Sequence, residues 1–349
     1  MDKKTICILF GGVSSEHDVS IMSVRTVIEN IDREKYNPVV IGITKKGEWR
    51  LFEGTLPYEN WQEEAPKRAI LSPDRVGGGI IIFKENKTEV IKIDAVYPVL
   101  HGKNGEDGTI QGLCALSGIP CIGSGVIGSS VCMDKCVAKV LFRNAGIPVV
   151  PWIEFKTGDE IDFEKIEEKI GYPCFIKPSN AGSSVGVTKA YNKEELKAGI
   201  DLAFKHDYKV MIEKAINPKE VECSVCGNYD PVAAENLGEI KPAKDFYDFE
   251  AKYEDENSGL IIPASIDDKT RDLIKEYAVK AYKVAECRGF SRVDFLVSKD
   301  DGKVYLNEIN TLPGFTPISM YPKLWADCGV SVKEIISRHI ELALELGVE

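Results

Sequence analysis

An acid and an amide stand two residues apart near the end of an apolar run, in the stretch VYLNEINTLPGF at 304–315. Because side chains on a β-strand alternate between its two faces, Glu308 and Asn310 are expected to point to the same side. The preceding RVDFLVSKDDGK predicts a hairpin that places Asp294 on the neighbouring strand and Arg292 on the same face. Three such oxygen donors suit Mg²⁺ or Mn²⁺, and an arginine beside them could stabilise a developing negative oxygen. The alternative is a pair of salt bridges on a solvated strand face.

A second stretch with chemical potential is KPSNAGSSVGV, which begins at Lys177. Glycine and serine let backbone N–H groups approach a phosphate closely, and a lysine at the base of the loop supplies positive charge. The stretch is not a Walker A loop, because no Gly-Lys-Ser/Thr follows at the required spacing. The sequence therefore indicates a hairpin that covers a phosphate, with an ordinary mobile hairpin as the alternative.

Two polar, glycine-rich stretches follow apolar runs in the N-terminal part of the chain, GGVSSEHDVS after TICILF and HGKNGEDGTIQG after AVYPVL. In a doubly wound sheet, ligands bind at the carboxyl ends of the strands, so both stretches are candidate substrate loops. Glu16 in the first could hold a substrate ammonium group, and His101 begins the second. For both residues the alternative is helix capping or loop packing.

The elements that must position these residues begin as an α/β pattern. The runs TICILFGG, NPVVIGIT and DAVYPVLHG predict strands, and SIMSVRTVIENI between the first two has the apolar spacing of a helix. This order predicts a parallel sheet with helices on its faces, and RVGGGIIIFKENKTEVIKID predicts an inserted hairpin. Farther along, a long helix is expected at about 267–286, and the last helix is expected to open with a capping box of Ser331 and Glu334.

Composition limits the possible functions. The chain has 349 residues, which fits two or three domains, and 44 Lys+Arg against 55 Asp+Glu give a formal net charge of −11. An acidic chain without a Lys/Arg run argues against binding to nucleic acid or to an anionic membrane. No apolar stretch is long enough for a transmembrane helix, and the first residues lack the pattern of a signal peptide. The 10 scattered cysteines are expected to be reduced thiols in a cytoplasmic protein.

Two of these stretches together, HGKNGEDGTIQG and RVDFLVSKDDGKVYLNEINTLPG, resemble the D-alanine–D-alanine ligase family of the ATP-grasp superfamily. Each holds many residues at fixed spacing, and the resemblance extends from GGVSSEHDVS to SMYPKLW. It implies an α/β, three-domain ATP-grasp architecture with an N-terminal parallel α/β (pre-ATP-grasp) domain. The expected divisions are an N-terminal domain at 1–133 on the first-substrate side, a central subdomain at 134–222, and a C-terminal subdomain at 223–349 with the metal and second-substrate site.

The resemblance also implies roles for individual residues. Those expected to bind ATP are Lys135, Lys177, Ser183, Glu213, Lys214, Ala215, Ile216, Glu220, Lys252 and Asn310. Two Mg²⁺ (or Mn²⁺) ions are expected on Asp294, Glu308 and Asn310. D-Alanine is expected to contact Glu16 and His101 as the first substrate, and Ser319 and Met320 as the second. The residues expected to take part in catalysis are Glu16, Ser183, Tyr253, Arg292, Gly314 and Ser319, with Arg292 and the Gly314 backbone forming the oxyanion site.

The implied reaction joins two D-alanines for peptidoglycan synthesis, with ATP as co-substrate and a D-alanyl phosphate intermediate, in a protein expected to be a homodimer. Because acyl phosphates hydrolyse in water, the loops at 179–186 and around 243–259 are expected to close over the site. Ile318 stands where many family members have histidine, so this sequence departs from the family pattern at the second-substrate site. Tyr253 favours an amine over a hydroxyl as the nucleophile but does not separate D-alanine from D-serine, so a D-alanine–D-serine ligase of the vancomycin-resistance type is the alternative.

Two further alternatives fit the sequence less well. A non-catalytic ATP-binding relative is expected to have lost a metal ligand or a phosphate lysine, whereas this chain has Asp294, Glu308, Asn310, Lys135 and Lys177. An ATP-grasp ligase for other amino acids is not expected to carry HGKNGEDG.

Overall fold

The computed structural model describes residues 2–183, 185–241 and 259–348. Lys252 and Tyr253, with almost all of the loop expected around 243–259, therefore lie outside the described residues.

The strands are β1 (Lys4–Gly11), β2 (Tyr36–Ile43), β3 (Trp49–Phe52), β4 (Ala69–Leu71), β5 (Ile80–Lys84), β6 (Lys87–Ile91), β7 (Ala95–Val99), β8 (Trp152–Lys156), β9 (Cys174–Pro178), β10 (Thr188–Ala190), β11 (Lys209–Lys214), β12 (Pro218–Cys226), β13 (Val232–Ala233), β14 (Gly238–Lys241), β15 (Gly259–Ile261), β16 (Phe290–Ser298) and β17 (Val304–Asn310). The helices are α1 (His17–Asn30), α2 (Thr109–Ser117), α3 (Val126–Met133), α4 (Lys135–Asn144), α5 (Phe163–Lys169), α6 (Lys193–Ala203), α7 (Asp268–Val284), α8 (Met320–Asp327) and α9 (Val332–Leu346), with a 3₁₀ helix at Trp61–Glu64.

The N-terminal sheet has the strand order β3-β2-β1-β7. Strand β1 runs parallel to β2 and β7, which confirms the predicted parallel sheet, and β3 is an antiparallel edge strand. Its central strands are apolar on both faces, because α1 and α9 pack on one face while α2 and the β4-β5-β6 sheet cover the other. The inserted hairpin is confirmed as β5 and β6. Since β1 and β7 are parallel, the two polar loops that follow them lie at the same edge of the sheet.

Two antiparallel sheets make up the rest of the fold. The first has the order β10-β9-β11-β8, and α5 and α6 pack against it. The second has the order β15-β14-β12-β16-β17 with β13 paired to β12, and α4 and α7 cover one of its faces. Helix α8 packs on the opposite face. Strand β12 and helix α4 thus contribute to the core of this last sheet, although α4 and the first part of β12 fall within the central subdomain expected at 134–222.

The later helices form where the sequence predicts them. Helix α7 follows its N-cap Asp267, whose side chain accepts the Thr270 N–H. Helix α9 opens with the predicted capping box, in which Ser331 and Glu334 each accept a backbone N–H from the other. Within the described part of the chain, no helix is both long and apolar enough to cross a membrane.

A buried aromatic cluster joins α9 to the N-terminal sheet. His339 on α9 is fully buried, with Nδ1 2.8 Å from the Tyr97 hydroxyl and Nε2 2.9 Å from the Tyr321 hydroxyl. Its ring stacks on Phe290, with centroids 3.8 Å apart and an angle of 6° between the planes. Because burial disfavours the charged ring, the pKa of His339 is lowered to about 3. The junction between the two ends of the chain therefore contains a neutral imidazole.

We expect His339 to make the folded chain less stable as the pH falls from about 7 to about 5. The unfolded chain takes up a proton here near pH 6.5, whereas the folded chain does so only near pH 3. The unfolded state therefore binds more protons in this interval. At roughly 1.5 pH units below the unfolded pKa, this lowers the free energy of unfolding by about 2 kcal/mol. Thermal melts should show a smaller loss of Tm over this interval for His339→Gln than for the wild type. Equal losses would contradict this assignment.

Candidate active site

A cleft of about 1080 Å³ lies where the two antiparallel sheets meet the loops of the N-terminal domain. Asp294 does not line the cleft itself but is hydrogen-bonded to Arg292 and Asn310, which do. Ala215 lies in the chain between Lys214 and Ile216, which also line the cleft. Candidates from all three parts of the chain thus meet in one place. Those that line the cleft are Glu16, His101, Lys135, Lys177, Ser183, Glu213, Lys214, Ile216, Glu220, Arg292, Glu308, Asn310, Gly314, Ser319 and Met320.

The hairpin of β16 and β17 places acidic and basic groups opposite each other. In its antiparallel register Asp294 pairs with Glu308 and Arg292 pairs with Asn310, and a β-bulge follows Asp294. The Asp294 carboxylate accepts hydrogen bonds from Arg292 Nε at 2.8 Å, Arg292 Nη2 at 2.7 Å and Asn310 Nδ2 at 3.1 Å. Glu308 Oε2 lies 3.4 Å from the Lys135 ammonium. The predicted hairpin is confirmed, and it brings the three oxygen-bearing side chains to one face.

This donor set fits a magnesium or manganese ion. Asp294 and Glu308 offer carboxylate oxygens and Asn310 an amide oxygen, which are the hard ligands that these ions prefer. Among the residues that the structure describes, no three His, Cys, Asp or Glu side chains form a group able to hold a metal. Because Mg²⁺ commonly takes only one or two protein carboxylates and completes its shell with water and phosphate, a site here would depend on a bound nucleotide.

A buried carboxylate on the cleft wall is shared by two lysines. Glu213 on β11 is only 2% exposed, and its oxygens lie 2.6 Å from the Lys139 ammonium and 2.6 Å from the Lys177 ammonium. Burial opposes ionisation of Glu213, but the two cations outweigh it and lower its pKa to about 2. Sequence reasoning missed Lys139, although its position four residues after Lys135 on one helix places both lysines on the same face.

The first-substrate candidate Glu16 joins the N-terminal loops to the glycine-rich loop after β9. It is only 7% exposed, and its Oε1 accepts a hydrogen bond from the Ser183 hydroxyl. A Cβ atom added at Gly102 or Gly182 would lie 2.3 or 2.5 Å from Glu16 Oε2, so both loops approach this carboxylate more closely than a side chain allows. The Glu16 side chain makes no capping hydrogen bond to α1. Glu16 is thus the N-cap residue of α1 by its backbone, while its side-chain contacts match the loop-packing alternative and also lie at the cleft.

His101 connects the N-terminal domain to the loop that follows β17. Its Nδ1 lies 3.0 Å from the Leu312 carbonyl, which can only accept, so Nδ1 donates there. Its Nε2 lies 3.0 Å from the Ser23 hydroxyl, whose oxygen accepts the Phe315 N–H at 3.2 Å. Burial lowers the pKa of His101, and in the neutral ring that this favours, Nε2 accepts from the Ser23 hydroxyl. The contacts of His101 thus match the loop-packing alternative, while the residue also lines the cleft.

Glu106 is a second residue that sequence reasoning missed. It lines the cleft and accepts the backbone N–H groups of Gly102 at 2.7 Å and Leu312 at 3.3 Å. Burial and the nearby Glu16 carboxylate raise the pKa of Glu106 to about 8, against the effect of the two N–H donors. The stretch HGKNGEDG drew attention by its two acids, but nothing in the sequence indicated which of them would face the cleft.

The second-substrate candidates lie on the turn between β17 and α8. The Ser319 hydroxyl accepts the Thr316 N–H at 3.0 Å and lies 2.8 Å from the Thr316 hydroxyl. A Cβ atom at Gly314 would lie 2.8 Å from Ser319 Oγ, so a side chain here would displace the Ser319 hydroxyl. Met320 is 3% exposed and packs in a small apolar cluster under α8. Most of its side chain is therefore turned away from a polar ligand in the cleft.

Comparisons with known protein families and curated proteins cover nearly the whole chain. The family model described as "D-ala D-ala ligase N-terminus" matches residues 5–124, and "D-ala D-ala ligase C-terminus" matches residues 141–341. The curated "D-alanine--D-alanine ligase" of Acetivibrio thermocellus is 50% identical, over 99% of this chain and 96% of its own length. The protein of the same name from Clostridium acetobutylicum is 49% identical over 98% of each chain.

Solved structures share the fold over the same extent. The VanG D-Ala:D-Ser ligase from Enterococcus faecalis has a TM-score of 0.88 and 39% identity, and the match covers 98% of this chain and 100% of that one. The D-alanine-D-alanine ligase from Coxiella burnetii has a TM-score of 0.86 and 31% identity, with 99% and 95% covered. These likenesses, with the four sheets described above, confirm the expected α/β ATP-grasp architecture.

Proposed function

Because the chain belongs to the D-alanine–D-alanine ligase family, we propose that its cleft joins two D-alanines through a D-alanyl phosphate, at the expense of ATP, and so supplies a precursor of peptidoglycan. The enzyme is an ADP-forming ligase. The observation that carries the proposal is the meeting of Lys177, Glu308 and Glu16 in one cleft. A cation suited to phosphate, an acid suited to a metal ion and an acid suited to an ammonium group are what this reaction requires.

Nucleotide binding is assigned to the wall formed by β9, β11 and α4. Lys135 and Lys177 are cations with 18% and 17% of their side chains exposed, and we assign them to the phosphates of ATP. The chain at 214–216 would receive the adenine, and Glu220 the ribose. Because the Glu213 carboxylate is engaged by two lysines, its contribution to adenine binding would come from the backbone.

The reacting end is assigned to Glu16, Ser183, Arg292 and Gly314. A carboxylate is a poor electrophile, and transfer of the terminal phosphate of ATP to the first D-alanine gives it a good leaving group. Glu16 would hold the ammonium group of that D-alanine, and Ser183 would orient the Glu16 carboxylate. When the second amine attacks, Arg292 and the Gly314 N–H would stabilise the oxyanion, a contribution of about 3–4 kcal/mol per donor in other enzymes.

Asp294, Glu308 and Asn310 are the residues that would hold two Mg²⁺ or Mn²⁺ ions. Such ions, when bound, supply positive charge that neutralises a transferring phosphate. The chain itself places the Arg292 guanidinium against Asp294 and the Lys135 ammonium near Glu308. These cations orient both carboxylates and limit the repulsion between them.

Three further proposals rest on resemblance to the family. The protein would be a homodimer. It would work in the cytoplasm, where its co-substrate ATP is made. Lys252 and Tyr253, outside the described residues, would belong to the segment that closes over the bound substrates.

D-Serine as the second substrate is the alternative function, and the likeness to the VanG D-Ala:D-Ser ligase favours it. Ile318 lines the cleft near the second-substrate candidates and is 50% exposed. Its aliphatic side chain offers no hydrogen bond to a serine hydroxyl, and binding sites select a hydroxyl mainly by hydrogen bonding to it. This residue therefore favours D-alanine.

Product analysis distinguishes these functions. The purified protein would receive ATP and Mg²⁺ with D-alanine alone, then with equal D-serine or D-lactate, and the products would be identified by mass. We expect D-alanyl-D-alanine as the main product in every mixture. A preference for D-alanyl-D-serine would favour the alternative, and bound ATP without any dipeptide would overturn the ligase proposal.

Closure of the glycine-rich loop should be visible in amide hydrogen exchange. We expect exchange at 179–186 to slow by about tenfold or more when ATP and a phosphinate dipeptide analogue are bound, because the loop would then be packed against ligand. The β5–β6 hairpin does not line the cleft, and its exchange should stay constant. Unchanged exchange at 179–186 in the presence of saturating ligand would contradict the assignment of this loop as a lid.

A further inference from the structure

Lys139 is a buried lysine that does not itself line the cleft. It is 1% exposed on α4, whereas Lys135, one turn earlier on the same helix, lies on the cleft wall. The Lys139 ammonium is 2.6 Å from Glu213 Oε1, and the other Glu213 oxygen is 2.6 Å from the Lys177 ammonium. Each oxygen of the Glu213 carboxylate thus pairs with a different lysine.

We propose that Lys139 is a positioning residue for phosphate binding, which keeps Lys177 directed into the cleft by occupying one oxygen of Glu213. This inference rests on the proposed function, because it takes the phosphates of ATP as the ligand of Lys177. Two ammonium groups and one carboxylate leave a net positive charge, and Lys177 is the cation of this group with exposure to the cleft. Without Lys139 the remaining pair would be neutral.

The burial of Lys139 argues against a purely stabilising role. Removing an ammonium from water is unfavourable, and an apolar side chain of similar size commonly stabilises such a site as well or better. Burial lowers the pKa of Lys139, although the Glu213 carboxylate counteracts it. The Trp152 ring, 6.0 Å away, adds only a weak attraction for the cation. A lysine placed 2.6 Å from Glu213 at so buried a position therefore points to an electrostatic role towards the cleft.

The helix that carries Lys139 is fixed to the strand that carries Glu213. Asp134 caps α4 by accepting the N–H groups of Cys136 and Val137, and its carboxylate also pairs with the Lys209 ammonium on β11. Since Glu213 lies on the same strand as Lys209, the two ion pairs hold α4 in a defined position along β11. The Asp134–Lys209 pair therefore keeps Lys139 close to Glu213 independently of their own ion pair.

Lys139→Met is expected to weaken ATP binding while leaving adenosine binding unchanged. The variant removes the charge but keeps a side chain of similar length. The Glu213 carboxylate would then satisfy both of its oxygens with Lys177 and draw that ammonium away from the phosphates. Loss of one charge near a phosphate should raise the Kd for ATP by about tenfold or more. Adenosine, which has no phosphates, should bind as it does to the wild type.

The decisive test is a double-mutant cycle measured by calorimetric titration with ATP and with adenosine, in Mg²⁺ buffer without D-alanine. Because Lys139 acts through Glu213, Lys139→Met should reduce ATP affinity far less in a Glu213→Gln background than in the wild type. Equal reductions in the two backgrounds, or a parallel loss for adenosine, would overturn the inference. Lys139→Arg, which keeps the charge, should retain most of the ATP affinity.

Two controls separate this role from stability and from the proposed function. Lys275→Met removes a lysine that pairs with one carboxylate, that of Glu235, on another helix and outside the cleft lining, so it should leave the ratio of ATP to adenosine affinity unchanged. If Lys139→Met does not fold, Lys139→Gln should still show a selective loss for ATP, because it removes the charge, but a smaller one, because its amide can donate to Glu213; unchanged ATP affinity in that variant would overturn the inference. A wild type that binds ATP but forms no dipeptide would defeat the proposed function, while the binding data would still decide the role of Lys139.

Discussion

Replacing Glu308 with glutamine is expected to lower turnover by about a hundredfold or more while the fold is retained. Glutamine keeps the size of the side chain on β17 but removes the charge that suits a metal ion and that faces the Lys135 ammonium at 3.4 Å. Glu308 lies at the cleft and is not part of the buried core, so the melting temperature should change little. Initial rates of phosphate release and dipeptide formation, measured at saturating ATP and D-alanine, check this result.

Glu239→Gln is the matched control for this variant. Glu239 lies on β14 of the same sheet, is 5% exposed, does not line the cleft, and accepts the Ser265 N–H at 2.8 Å. An amide oxygen can still accept that hydrogen bond, so turnover should stay near the wild-type value. Near-normal turnover in Glu308→Gln would contradict the metal assignment, and so would an equal loss in Glu239→Gln.

Replacing Arg292 with glutamine is expected to lower kcat by about a hundredfold to a thousandfold, with a much smaller effect on the KM for ATP. The guanidinium is held at 2.7–2.8 Å by Asp294 and at 3.1 Å by Glu222, so it is oriented before the reaction begins. A fixed cation of this kind stabilises charge that develops only in the transition state, and its loss therefore lowers kcat. Separate determination of kcat and of KM for each substrate tests this expectation.

Arg288→Gln is the control for the Arg292 variant. The Arg288 side chain is 19% exposed against 17% for Arg292, and it pairs with one carboxylate, that of Glu286, outside the cleft lining. Its loss should leave kcat unchanged. Arg292→Lys keeps the charge without the planar fork and should fall between the wild type and the glutamine variant. A rise in the KM for ATP with an unchanged kcat in Arg292→Gln would contradict the oxyanion role.

The parts of the fold that could be predicted from the sequence are those set by local periodicity. The alternation of side chains along VYLNEIN fixes Glu308 and Asn310 on one face, and the short turn before it fixes the partner strand that carries Asp294. Three apolar runs, with a helical pattern between the first two, likewise predicted that β1 pairs in parallel with β2 and β7.

The residues that could not be predicted depend on contacts between distant segments. Lys139 appears in the sequence as a charge on an amphipathic helix, and only the packing of α4 against β11 buries it beside Glu213. Glu106 appears as one of two acids in HGKNGEDG, and only the approach of the loop after β17 brings its carboxylate to the Leu312 N–H. In both cases a solvated position and a buried one have the same local sequence pattern.

The most direct test of the account follows the carboxyl oxygens of D-alanine. D-Alanine labelled with heavy oxygen in its carboxyl group would be supplied with ATP and Mg²⁺, and the inorganic phosphate would be analysed by mass. Because phosphorylation of the carboxylate leaves one substrate oxygen on the departing phosphate, each dipeptide formed should be matched by one labelled phosphate. Dipeptide formation with unlabelled phosphate would contradict activation through a D-alanyl phosphate.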